Sequence, residues 1–163
     1  MKNYSKISVE ILDKVHNDVE VYTYTKEFKL REMTIPEEEI TVLNKLLKSD
    51  FLNSDEFKGK IIEYINEERG AIDMDELEEQ DLWNDLSITA FVTEKQRKED
   101  VEGALKTGAY KLNLLDMESL EIIKVSILGE IEETDPEHGI SITFLNNKVA
   151  RIGQQMDYQF YIT

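Results

Sequence analysis

The chain has 163 residues, a net charge of −16 and no cysteine. That length suits one domain able to bury roughly 70% of the surface its unfolded chain exposes, with no need for a disulfide or metal staple. The charge repels phosphate backbones and anionic lipid, which argues against nucleic-acid and membrane partners, and the missing thiols exclude disulfides, thiolate zinc sites and a cysteine nucleophile.

The N-terminal "MKNYSKISVEILDKVHNDVEVY" has no basic stretch followed by an apolar run, since Glu10 and Asp13 interrupt Val9, Ile11 and Leu12. No signal peptide or transmembrane helix is readable there, and the cytoplasm is the expected location. Residues 5–28 read as a hairpin. "KISVEIL" alternates Ile7, Val9 and Ile11, and "DVEVYTYTKEF" alternates Val19, Val21 and Thr23 against Glu20, Tyr22 and Tyr24, with Asn17 and Asp18 as the expected turn.

Residues 34–84 form a helical segment. "TIPEEEITVLNKLLKSD" sets Thr34 three residues before Glu37, with Pro36 and three glutamates at the start and Ile40, Leu43, Leu46 and Leu47 at helical spacing. "NSDEFKGKIIEYINEERG" offers Asn53 or Ser54 as a cap, repeats Phe57, Ile61 and Ile65, and stops at Gly70. "DMDELEEQDLWND" then carries seven acidic residues in thirteen and no basic one. It reads as a short third helix with Asp73 and Glu76 as a capping pair, or as a solvated loop.

Residues 86–163 are β-rich. "LSITAFVTEK" places Ile88, Ala90 and Val92 opposite Thr89, Phe91 and Thr93. "VEGALKTGAY" reads as a hairpin connection, and "AYKLNLLD" and "LEIIKVSILGEIEE" as strands, the second with Ile123, Val125, Ile127 and Ile131 in one row. "GISITFL" aligns Ile140, Ile142 and Phe144 against Ser141 and Thr143; Asn146 and Asn147 make a two-residue turn, "KVARIG" returns, and "DYQFYIT" closes the chain. Strands, then helices, then strands joined by short turns describe a single α+β domain over 1–163: a largely antiparallel sheet with two or three helices packed on one face.

Two clusters invite a chemical reading. Asp135, Glu137 and His138 sit within four residues beside Pro136 and Gly139. Histidine with a carboxylate partner suits a general base or a metal ligand. A base needs a held substrate, however, and a metal needs three or four converging ligands. The only other histidine is His16, which no pattern brings near. The favoured reading is a turn: Asp135 and Pro136 open it, and Gly139 supplies the positive φ that lets Ile140 start a strand.

The second cluster is the acidic stretch itself. As a calcium loop begun at Asp73 it fails, since Leu77, Glu78 and Asn84 occupy positions that need an oxygen ligand, a glycine and a glutamate. Asp73, Asp75, Glu76, Glu78, Glu79, Asp81, Trp83 and Asp85 are instead candidate contacts for a basic protein, because residues 27–85 carry 18 acidic against 7 basic side chains. Trp83 would serve as an aromatic anchor if exposed; a core position is favoured for it, because tryptophan is highly buried on average. No phosphate-binding glycine loop, nucleophile elbow or zinc-protease motif is present, and no cofactor or metal is expected.

The stretch "DPEHGISITFLNNKVARIGQQMDY", Asp135 to Tyr158, joins an acidic residue and Glu-His-Gly to two strands and a polar turn. It resembles the tail of small bacterial domains of unknown function, some of them immunity-like partners of toxins. The resemblance covers about the last 45 residues and carries no catalytic residue; it implies an intracellular binding protein. Three functions follow. The first is a non-enzymatic binding or immunity-like domain acting through its acidic surface. The second is a small hydrolase or lyase using His138 with Asp135 or Glu137. The third is a homo-oligomeric structural module with an exposed sheet edge near the C-terminus.

Overall fold

The computed structural model describes residues 6–11, 14–24, 30–31, 34–70, 79–112, 121–132 and 135–154. β1 (Lys6–Ile11) and β2 (Lys14–Tyr24) form the expected antiparallel hairpin, but the chain reverses between Ile11 and Lys14 rather than at Asn17 and Asp18. Those two residues lie opposite the single residue Ser8, between the paired rows Ile7–Val19 and Val9–His16. They form a bulge, where asparagine and aspartate tolerate the irregular backbone as they would in a turn. β3 (Leu30–Arg31) pairs with the far end of β2.

The helical layer follows as α1 (Glu37–Leu47), a 3₁₀ turn (Asp50–Asn53), α2 (Asp55–Gly70) and α3 (Glu79–Asp85). The capping box expected from Thr34 does not form. Pro36 holds the cap position without a side-chain bond, because its fixed φ already suits the helix entry. At α2 the serine alternative holds: Ser54 Oγ accepts from the Phe57 N–H at 3.2 Å.

β4 (Leu86–Arg97), β5 (Glu121–Ile131), β6 (Asp135–Leu145) and β7 (Lys148–Gly153) complete a sheet of order β1-β2-β4-β5-β6-β7, with β3 on β2. Every pairing is antiparallel except β2 with β4. The helical layer is the crossover that parallel neighbours require. Asn146 and Asn147, at φ 49° and 61°, make the predicted tight turn between β6 and β7.

A bulge at Thr89 breaks the alternation read from β4, because Ile88 pairs with Gly129 and Ala90 with Leu128. Leu86, Ile88 and Phe91 therefore join one core while Ala90 and Val92 point to the other face. The larger core holds Val19, Val21, Val125, Ile127, Ile140, Ile142 and Phe144 from the sheet under Leu43, Leu46, Phe57, Ile61 and Ile65 from α1 and α2. Fully burying each such side chain stabilises the fold by about 1.5–3 kcal/mol.

Residues 98–107, expected as part of a hairpin connection, form a fourth helix. α4 (Lys98–Thr107) has Glu99 and Asp100 in its first turn, Lys106 in its last, and Gly108 at φ 81° as its left-handed cap. Its Val101 packs with Ile122, Leu145 and Ala150, which alternate with the larger core and so lie on the opposite face of the sheet. Residues 109–112, part of an expected strand, are not in one; the Lys111 N–H donates to the Ala150 carbonyl along the outer edge of β7. The closing strand read at residues 157–163 lies outside the described residues.

Candidate functional site

The helical layer turns its apolar stripe inward and leaves most of its described carboxylates outside. Glu37 and Glu38 on α1, Asp50 in the 3₁₀ turn, Asp55, Glu56, Glu63 and Glu67 on α2 and Asp81 on α3 are all exposed. Several occupy first turns, where the helix dipole favours negative charge. Among the residues whose exposure is described, the exposed cations on the same elements are Lys45, Lys48 and Lys60. Lys95 reaches up from β4 to Glu38. The net field of this face is negative, and it would steer and hold a cationic surface.

Of the acidic candidates, Asp73, Asp75, Glu76 and Glu78 lie outside the described residues. Glu79 opens α3, Asp81 is exposed and Asp85 is half-buried. Trp83 is only 4% exposed and belongs to the larger core, so it is no surface anchor. Lys58 Nζ sits 5.3 Å from its ring centroid and ties α2 to α3 by a cation–π contact.

The Asp135–Gly139 corner is a wide bulge within β6. Ile140 pairs with Gly129 and Asp135 with Ile131, so Pro136, Glu137, His138 and Gly139 all face the single residue Glu130. Gly139 takes φ 61°, the positive value expected of it. Glu137 is exposed and His138 half-buried. The sheet order puts β4 and β5 between the strands that carry His16 and His138. Among the described residues no three His, Cys, Asp or Glu side chains are grouped as metal ligands.

Two features escaped the sequence. One is a cleft of about 740 Å³ walled by Phe51, Leu105, Tyr110 and Val149 and rimmed by Glu56, Lys60, Lys111 and Lys148. Its lining comes from three distant segments, so no local pattern announces it. The other is Glu39, the third of the three glutamates opening α1, which is 2% exposed. Thr23 on β2 donates its hydroxyl to Glu39 Oε1 at 3.1 Å. Thr93, in register with Thr23 on β4 and fully buried, faces the same carboxyl without a hydrogen bond of normal geometry. Burial pushes the Glu39 carboxyl above the usual carboxylate range; Thr93, Thr23 and Lys95 oppose that rise, and Glu38 adds to it. The sequence clue was faint: Glu39 neighbours Ile40 on the inward stripe.

No protein-family model, curated protein or solved structure matches this chain.

Proposed function

We propose that this protein is a non-enzymatic binding domain that engages a basic protein through its acidic helical face, together with the acidic residues of the sequence stretch Asp73–Asp85. What supports the reading is the run of exposed carboxylates on α1, the 3₁₀ turn, α2 and α3, set on a layer whose opposite side is anchored in the core. Charge complementarity of this kind raises association rate and selects partners. The role extends to an immunity-like, intracellular one, for which the resemblance of Asp135–Tyr158 to small bacterial domains is the support.

The test is capture from a lysate of the source cells at low salt, followed by calorimetric titration of the retained protein. The expected result is a basic partner whose affinity falls as salt rises, and falls about tenfold or more when Glu56, Glu63 and Asp81 are together reversed to lysine. Retention of nothing, or binding indifferent to both salt and reversal, overturns the reading.

A further inference from the structure

The seam between α1 and the parallel pair β2–β4 holds a carboxyl group where an ion is poorly tolerated. Glu39 is 2% exposed and Thr23 is its hydrogen-bond donor at 3.1 Å. Thr93 Oγ1, buried completely against it, makes no hydrogen bond of normal geometry. An isolated buried carboxylate is so costly that such groups take up a proton instead. A protonated Glu39 also settles the threonine, because its acid hydroxyl is a donor that a carboxylate lacks and Thr93 Oγ1 is an acceptor in want of one.

We propose that Glu39 is carried as a neutral acid in this seam and works as a pH-operated latch, in which release of its proton to solvent loosens α1 from the sheet. The surroundings favour a switch over a fixed charge. From β2 and β4 the seam receives the two threonines, which are neutral. The facing charged groups are Lys95 from β4 and Glu38 from α1 itself, and these two already bridge each other at the surface. On β3, Arg31 holds the register position opposite Thr23. Once ionised, Glu39 has the Thr23 donor, the Thr93 hydroxyl facing it without a bond of normal geometry, and a cation shared with Glu38; burial outweighs these, so the further stabilisation open to it is water, reached by lifting the first turns of α1. Those turns carry Ile40 and Leu43 into the core, so the loosened state exposes part of that core.

Amide hydrogen exchange across α1, corrected for the intrinsic pH dependence of exchange, tests the latch in the intact protein and in Glu39→Gln. In the wild type, protection of residues 40–47 is expected to fall about tenfold or more between mildly acidic and mildly alkaline pH, while β5 and β6 stay protected. In Glu39→Gln, α1 protection is expected to stay flat. Protection that is pH-independent in the wild type, that falls equally in the variant, or that falls on acidification overturns the proposal. Should the variant fail to fold, the wild type alone decides. A glutamate side-chain ¹³C resonance titrating above the ordinary carboxylate range is the expected signal, and all glutamates titrating normally is the refuting one.

Discussion

The rings of Phe57 on α2 and Phe144 on β6 meet with centroids 5.7 Å apart and planes tilted by 56°. Each side chain is 1% exposed, and Phe51 from the 3₁₀ turn packs on Phe57 at 5.4 Å. This stack joins the helical layer to the sheet. Phe57→Ala is therefore expected to lower unfolding stability by about 3–5 kcal/mol. A urea midpoint within error of the wild type would show that the stack is not a main tie.

Glu39 gives the protein a signed dependence on pH. Burial raises its folded carboxyl above the ordinary range, so the folded state binds that proton more tightly than the unfolded chain does. Its contribution is complete below the unfolded carboxylate pKa and is lost as pH rises through the raised folded value. Glu39→Gln removes that loss, so the stability of the variant relative to the wild type grows with pH over this window. Paired urea titrations at several pH values measure the difference; a gap that widens on acidification would reverse the sign.

Glycines divide by what surrounds them. A Cβ on Gly129 would meet Ser87 O at 3.0 Å and Ile140 Cγ2 and Leu86 Cδ1 at 3.2 Å, so Gly129→Ala is expected to cost about 1–3 kcal/mol. Gly103, inside α4, has nothing within 4 Å of such an atom, and Gly103→Ala should stabilise by about 0.5–1 kcal/mol. Thermal melts of the two variants moving in opposite directions would bear this out.

Lys124 and Glu94 pair directly across β4 and β5 with Nζ to Oε2 at 2.6 Å, their side chains only 10% and 18% exposed. Removing the carboxylate leaves a poorly hydrated ammonium. Glu94→Ala is expected to destabilise by about 1–3 kcal/mol, and the double variant Glu94→Ala with Lys124→Met by less. Additive effects in that double-mutant cycle would mean the two charges do not act as a pair.

The parts legible in the sequence were those set by neighbours along the chain. The Leu43–Leu46 stripe, the Ser54 cap, the Asn146–Asn147 turn and the Ile140–Ile142–Phe144 row all obey a local period or a local backbone preference. α4 was also written locally, in Glu99, Asp100, Lys106 and Gly108, and was missed because the glycine spacing was read as a hairpin connection. Trp83 was placed correctly in the core from residue type alone. The acidic face was visible as composition, although which carboxylates share it needed the helix packing.

The sequence by itself determined an acidic α+β chain whose apolar periods assign most strands and the two long helices, because side-chain spacing repeats within a few residues. Only the tertiary structure decided that β2 lies parallel to β4, that bulges at Thr89 and before Ile140 change which residues face the core, and that α4 covers the face opposite α1. It also took Glu39 from one of three glutamates at a helix start to a buried acid beside two threonines. Each of these depends on which segments become neighbours across tens of residues, and no window along the chain contains both sides of such a contact.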